Sequence, residues 1–287
     1  MSKNDKRMID DYTVIYSMYV GVREFALCEN MKAPDGQYYM VCEVRNNGMF
    51  EYYDDVYTHE DYIMATKNYI DRLDNQLGRI VDEYIKNKEK CKQEIVKEYW
   101  LEYKKDRPLI AIISRLVEQK GIDLLKAVEN DLMKLEADII ILGTGEKRYE
   151  DFFTWISYNS KNIRSRIEYR ADLCNKIYAG ADMFLMPSRF EPCGLSQLIA
   201  LKYGTIPIVR ATGGLENTVN AYPNKNADGF KFYNYNAHEM LNTIQYAINT
   251  YKNKKEWNSL VKNAMSADFS WTKSAQECKK VYKSLIE

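Results

Sequence analysis

The chain has 287 residues, 46% of them hydrophobic, with 41 lysines and arginines against 41 aspartates and glutamates. That length holds one large domain or two ordinary ones, and the apolar share supplies a real core. The balanced charge argues against a dedicated nucleic-acid binder; the polar Met1 to Asp11 segment does not read as a signal peptide, and no run approaches the roughly 18 apolar residues of a membrane span, so a cytoplasmic protein with no nucleic-acid and no membrane partner is expected.

Residues 1–86 are rich in tyrosine and lack a βα rhythm. Thr13 to Phe25 and Tyr38 to Val44 read as strands of a small antiparallel sheet, joined through the turn signal Ala33-Pro34-Asp35-Gly36. From Asp61 the pattern turns helical, with Ile70, Leu73, Leu77, Ile80/Val81 and Tyr84/Ile85 recurring at three and four residues. An amphipathic helix covering the sheet is expected; a coiled coil is the alternative, with too few sustained heptads to favour it. Together these make 1–86 a small α+β region of unknown role.

From Leu109 strands and helices alternate. The strand candidates are Leu109–Ile113, Asp138–Leu142, Ile167–Tyr169, Met183–Met186, Ile206–Val209 and Gly229–Phe232. Helical stretches lie between them at Gly121–Leu135, Lys147–Tyr158, Leu173–Ala179, Leu195–Tyr203 and after Leu215. This alternation predicts βαβ units and an α/β, Rossmann-like parallel sheet with flanking helices over 87–287. Residues 237–286 read as helical, with Phe269-Ser270-Trp271-Thr272 opening the last helix. The six cysteines, at 28, 42, 91, 174, 193 and 278, include no Cys-x-x-Cys spacing, and His59 and His238 are the only histidines. Free thiols and surface histidines are expected rather than a zinc site.

The chemistry-bearing residues fall in loops that follow strands, where open α/β sheets bind ligands. Pro187-Ser188-Arg189-Phe190-Glu191-Pro192-Cys193-Gly194-Leu195 joins an apolar strand to an apolar helix. The amides of Cys193, Gly194 and Leu195 would sit at a helix start, a place that favours phosphate or another anionic oxygen. An acid, Glu191, beside an anion cradle calls for a ligand with both a phosphate and a hydroxyl-rich part, such as a nucleotide sugar. Arg115 and Lys120 follow the first strand of the alternating region, and both can point at one anion, the arginine as a planar fork and the lysine as a compact charge. Gly143-Thr144-Gly145 follows the next strand, either for close backbone approach or as a plain turn. Thr212-Gly213-Gly214 before a short helix offers a backbone nest for an anion. A nicotinamide-dependent oxidoreductase fits poorly, because position 148 is arginine rather than the third glycine of a dinucleotide fingerprint and no acid stands near the end of a second strand.

Ile113-Ser114-Arg115-Leu116 with Gln119-Lys120-Gly121, Gly180-Ala181-Asp182, the Pro187–Leu195 run, Lys202-Tyr203-Gly204-Thr205, Thr212-Gly213-Gly214-Leu215 and Asp268-Phe269-Ser270-Trp271 stand in one order. In that order the chain, from near Asn87-Lys88 to its end, resembles the C-terminal, nucleotide-sugar-binding domain of bacterial glycogen synthases and plant starch synthases. The resemblance implies half of a GT-B fold. It implies retaining transfer of glucose from ADP-glucose (UDP-glucose in some members) to the non-reducing end of an α-1,4-glucan. Carried over to this sequence, Arg115 and Lys120 would hold the diphosphate and Glu191 the glucose hydroxyls near the reacting carbon. The backbone at Cys193, Gly194 and Leu195 would meet sugar and phosphate, Tyr169 would stack on the base, and the helix from Trp271 would return toward the other domain. No Asp-x-Asp motif occurs, so fixed protein cations are expected in place of a divalent ion, with no cofactor and no metal. Many related retaining enzymes carry a second glutamate where this chain has Ile199; glycogen synthases commonly lack it too. The Lys-x-Gly-Gly loop of the family's N-terminal domain is not found in residues 1–86, so acceptor binding is expected to come from a second chain. The alternative is a non-catalytic nucleotide-sugar or glucan-binding module whose first 86 residues serve protein interaction.

Overall fold

A run buried on both faces reads as continuously apolar, whereas a strand with one wet face alternates. Both patterns occur in the computed structural model, which describes residues 7–20, 23–46 and 51–284. The side chains of Leu77, Ile80, Val81 and Ile85, part of the expected helical periodicity, lie outside the described residues, as does that of Trp271. The chain divides into two compact units, Met1–Lys86 and Asn87–Glu287.

The first unit is an antiparallel sheet in the order β1 (Met8–Ile9), β2 (Tyr12–Val20), β3 (Arg23–Glu29), β4 (Tyr39–Asn46), β5 (Glu51–His59). The Thr13 to Phe25 segment is therefore not one strand but parts of two, β2 and β3. The Glu51–His59 strand was not expected from the sequence; it is an edge strand made of tyrosine, aspartate and glutamate with little apolar content. Register pairs Leu27 with Val41 and Ala26 with Cys42. Alternation then puts Phe25, Leu27 and Val41 with Ala65 and Tyr69 of the following helix. Ala26, Cys28, Met40, Cys42 and Val44 gather with Ile9 on the other face. Tyr53 of β5 donates its hydroxyl to Asp10 beside β1, so the two sheet edges approach and the sheet curls into a half-barrel. Burial on both faces explains why β3 shows no polar alternation.

Helix α1 runs Tyr62–Glu98, and the boundary between the units falls inside it. In the second unit its last turns bury Ile95 and Val96, followed by Tyr99, against Leu109, Ile140, Leu173, Ile177 and Phe184. Two lysines go down with them. Lys88 donates to the carbonyls of Tyr178, Ala179 and Tyr203 and to Thr205 Oγ1 at 2.7–3.3 Å. Burial lowers its pKa to about 8. Lys92 pairs with buried Asp182 at 2.8 Å.

The elements that follow are β6 (Leu109–Ile113), α2 (Ile122–Ala127), α3 (Glu129–Leu132), β7 (Asp138–Leu142), α4 (Lys147–Asn159), β8 (Ile163–Arg166), α5 (Ala171–Gly180), β9 (Met183–Met186), α6 (Ser196–Lys202), β10 (Ile206–Arg210), α7 (Gly214–Thr218), β11 (Phe230–Phe232), α8 (Ala237–Lys252), α9 (Lys254–Ser266) and α10 (Trp271–Ser284). The six strands form a parallel sheet in the order β11-β10-β9-β6-β7-β8. Two sequence expectations are corrected here. The expected 121–135 helix is broken at Val128, whose non-helical backbone (φ −121, ψ 27) separates α2 from α3. The strand expected at Ile167–Tyr169 lies earlier, at Ile163–Arg166, where one apolar residue precedes Arg-Ser-Arg on the sheet's open edge. Among the described residues no helix is long and apolar enough to cross a membrane.

Candidate functional site

The chain leaves β6 toward β7 and β8 and then returns to the other side of β6 for β9. That reversal makes a topological switch point, and in open α/β sheets ligands bind outside the carboxyl ends of the strands at such a crevice. A cavity of about 230 Å³ sits there, lined by Ile113 at the end of β6 and Ser114 and Arg115 just after it, by Lys120 in the next turn, and by Pro187 and Ser188 just after β9. Lys120 Nζ stands 2.5 Å from Glu191 Oε2, and Ser188 Oγ donates to the same oxygen at 3.1 Å. No hydrogen bond falls on Glu191 Oε1 among the described residues. Glu191 is 7% exposed and Ser188 1%, so the acid is held in a fixed place beside its cation. Arg115 is exposed, and its guanidinium makes no hydrogen bond or ion pair among the described residues. The Ser114 hydroxyl is buried without a partner among the described residues.

Backbone contacts between loops hold this arrangement. Gly121 has φ 74, and a Cβ there would lie 2.0 Å from the Pro187 carbonyl oxygen. The turn carrying Lys120 can thus press directly on the loop carrying Glu191. Arg189 N donates to Gln119 O at 2.9 Å and Gln119 Nε2 to Phe190 O at 3.2 Å across the same seam. Gly213, at φ 50, likewise lets the β10 loop close on Glu191, whose carbonyl oxygen would be 2.2 Å from a Cβ. The Gly143 and Gly145 pair serves close approach, against the carbonyls of Ser114 and Leu116. All these loops follow the carboxyl ends of neighbouring parallel strands.

Of the residues picked from the sequence, the structure gathers Arg115, Lys120 and Glu191 at one cavity, the third through its contacts to Lys120 and Ser188. Cys193, Gly194 and Leu195 do not line it, but they follow Glu191 at the start of α6. Gln197 Nε2 donates to the carbonyls of Cys193 and Gly194 at 3.2 and 2.9 Å. The N–H groups of these three residues meet no acceptor among the described residues. Thr212, Gly213 and Gly214 lie on the β10 loop, outside the cavity lining. The expected nest there needs correcting at one position: Gly214 N–H already donates to Glu191 O at 3.1 Å, so it is not open to an outside anion. Tyr169 stands past the end of β8, 86% exposed and outside the cavity lining.

Two contributors were missed from sequence. Ser188 fixes the acid, and Arg210, the last residue of β10, donates Nε to Ser188 O at 2.9 Å, Nη1 to Tyr233 O at 3.3 Å and Nη2 to Arg189 O. The only signal was an arginine closing an apolar strand three residues before a glycine pair.

The sequence profile of the family described as "Glycosyl transferases group 1" matches residues 97–264. A glycogen synthase from Bacillus cereus is 48% identical over 203 residues, taking in 70% of this chain and 43% of that protein. A glycogen synthase from Clostridium botulinum is 40% identical over 284 residues, taking in 89% of this chain and 59% of that protein. Its alignment is longer than residues 87–287, so the likeness reaches into the first unit, further than the motifs alone had placed it. Among solved structures, the catalytic domain of starch synthase IV from Arabidopsis thaliana, bound to ADP and acarbose, matches with TM-score 0.63 and 34% identity over 69% of this chain and 42% of that one. The chain spans less than half the length of the Bacillus relative and of the starch synthase domain.

Proposed function

For a chain that belongs to the glycosyl transferases group 1 family, we propose the donor-binding role of a glycogen or starch synthase-type glucosyltransferase. The donor is ADP-glucose, or UDP-glucose, and the acceptor is an α-1,4-glucan in the cytoplasm, extended with retention at the anomeric carbon. The acceptor-facing surface comes from polypeptide other than these 287 residues, such as a second chain. One observation carries the reading: Lys120 and Arg115 line a single cavity at the switch point, with the Glu191 carboxylate 2.5 Å from the lysine.

The chemistry follows from charge. As the bond from the anomeric carbon to the diphosphate breaks, negative charge grows on the leaving phosphate. Arg115, without a partner among the described residues, offers its fork to that oxygen. Lys120 has three donors; one is held by Glu191 and two remain for phosphate. The N–H groups of Cys193, Gly194 and Leu195 add fixed dipoles. Groups aimed at developing charge lower the barrier because they bind the transition state more tightly than the ground state. Glu191 Oε1 accepts from glucose hydroxyls and sets the sugar against the cations. Tyr169, exposed beyond β8, stacks on the base.

Calorimetric titration with ADP and ADP-glucose tests the site, using Arg115→Ala and Lys120→Ala. Each variant is expected to bind at least about tenfold more weakly. Equal binding by all three proteins would reject the diphosphate assignment. Incubation with labelled ADP-glucose and glycogen separates an enzyme from the second reading, a non-catalytic nucleotide-sugar or glucan-binding module.

A further inference from the structure

A second cavity, of about 360 Å³, opens along the free edge of β8, and none of its lining residues touches the β6–β9 cavity. Trp100 and Tyr158 line it and are 75% and 86% exposed. Trp100 occupies an unusual place. It follows α1 at φ 54, its N–H donates to Lys97 O at 3.0 Å, and Leu101 N–H donates to Val96 O at 3.0 Å. That is the helix-ending geometry in which glycine is the ordinary residue, because a Cβ is strained there. A tryptophan that accepts this strain and remains exposed gains nothing for the core. The Arg166 guanidinium stacks 5.1 Å from its ring centroid, and Arg166 Nη2 is tied to Glu98 O at 2.9 Å. The indole is thus braced from the protein side.

The rest of the lining is hydroxyl-rich. Thr154 Oγ1 donates to Glu150 O and Ser165 Oγ to Phe153 O, so their protons are committed inward while their lone pairs can still accept. Two of the edge strand's backbone groups are taken by side chains, the Ser165 N–H by a serine of α4 and the Ile163 carbonyl by the strand's own Arg164. Ser157 Oγ takes the Ser165 N–H at 3.2 Å, and Arg164 Nη1 caps the carbonyls of Ser157, Ser160 and Ile163 at 2.7–3.2 Å. A pairing strand would find those groups occupied. Exposed aromatic faces beside hydroxyl acceptors, with no carboxylate in the lining, complement a ring that is apolar on its CH face and donor-rich at its rim.

We propose that this groove is a non-catalytic carbohydrate site that takes a short neutral segment of α-1,4-glucan, with Trp100 and Tyr158 as stacking platforms. The identity of the sugar rests on the function proposed above; the site itself does not. Its role would be to keep a polymeric acceptor near the donor site between transfers, raising its effective concentration.

The test is titration of the full chain with maltoheptaose, followed by tryptophan fluorescence and calorimetry, with and without saturating ADP. Trp100→Gly removes the platform while placing the residue best suited to φ 54, so this variant is expected to fold at least as well as the parent. Tyr158→Ala is the second variant. Each should weaken maltoheptaose binding by at least about tenfold, as loss of one aromatic anchor does, and leave ADP affinity unchanged. Absence of maltoheptaose binding to the parent, undiminished binding in Trp100→Gly and Tyr158→Ala, or preference for a sulfated oligosaccharide over maltoheptaose would each overturn the proposal. Loss of ADP binding with maltoheptaose binding intact would instead overturn the donor reading alone.

Discussion

Gly121→Ala is the sharpest test of how the site is held together. Gly121 is at φ 74 and ψ 25, the left-handed region, between the turn carrying Lys120 and helix α2. A methyl group there would meet Pro187 O at 2.0 Å and Pro187 C at 2.7 Å, both backbone atoms with no rotamer to escape into. Restoring ordinary contact needs a displacement of more than about 1 Å. The left-handed alanine costs about 1 kcal/mol and overpacking about 1–3 kcal/mol more, so a loss of roughly 2–4 kcal/mol is expected. For a unit of this size that lowers Tm by roughly 5–15 °C. The displaced loop carries Glu191, so the 2.5 Å contact to Lys120 opens. A shift of about 1 Å at a positioned group costs on the order of a hundredfold in rate. Differential scanning fluorimetry reads the loss of stability and labelled-glucose transfer the loss of rate, while ADP titration reports whether the opened pair still holds Lys120 in place. Gly204→Ala is the control: φ is 57, but its Cβ would meet only the side chains of Val261 and Met265, at 3.0–3.4 Å. It should lower Tm and leave ADP binding untouched. If Gly121→Ala binds ADP like the parent while losing as much stability as Gly204→Ala, the claim that this backbone contact sets the cation–carboxylate pair is wrong.

Further outcomes follow from the same geometry. Gly213→Ala should weaken donor binding, because its Cβ would press on the Glu191 carbonyl from the β10 side; titration with ADP-glucose reads it. Arg210→Lys, with fewer donors for the carbonyls of Ser188, Arg189 and Tyr233, should lower kcat for glucosyl transfer more than it raises KM for the donor, and Arg210→Gln should do so further. Chelation with EDTA should change neither ADP affinity nor transfer, since in the proposed site Arg115 and Lys120 supply the positive charge. Lys88 gives the protein a pH signature. Burial holds its folded pKa near 8 against an ordinary 10.5. Up to pH 8 both states keep the proton and the burial cost is fully present. Between pH 8 and 10.5 the unfolded chain holds a proton that the folded chain has released, so stability rises with pH, by roughly 3 kcal/mol in all. Lys88→Met leaves buried carbonyls unpartnered and should destabilise by about 2–4 kcal/mol at pH 7, and urea unfolding should show the gap to the parent widening above pH 8.

Much of the second unit could be read in one dimension. β6, β7, β9 and β10 are buried on both faces, so each is dominated by apolar residues, with Asp138 and Arg210 only at strand ends, and their order with the helices between them already implies a parallel sheet. The loops after them carried glycine, cation and acid at recognisable spacings. Edge strands were the failures. β5 and β8 each leave one side unpaired and are rich in charged or hydroxyl residues, so the local pattern carries little strand signal. β2 and β3 were merged because each puts apolar residues on the face they share, Tyr12 and Val14 with Ala26 and Cys28.

What the sequence determined alone is therefore local: which runs must be buried, which loops leave the sheet, and which side chains could meet an anion. Tertiary structure decided the pairings. That Ser188 and Lys120 converge on one oxygen of Glu191, that Arg210 grips the loop between them, and that Trp100 stands braced over a groove on β8 all depend on contacts between segments far apart in the chain. Such contacts form only when parallel strands are set side by side and glycines let their loops touch. Spacing along the chain does not encode them, because the distance that matters is measured across the sheet.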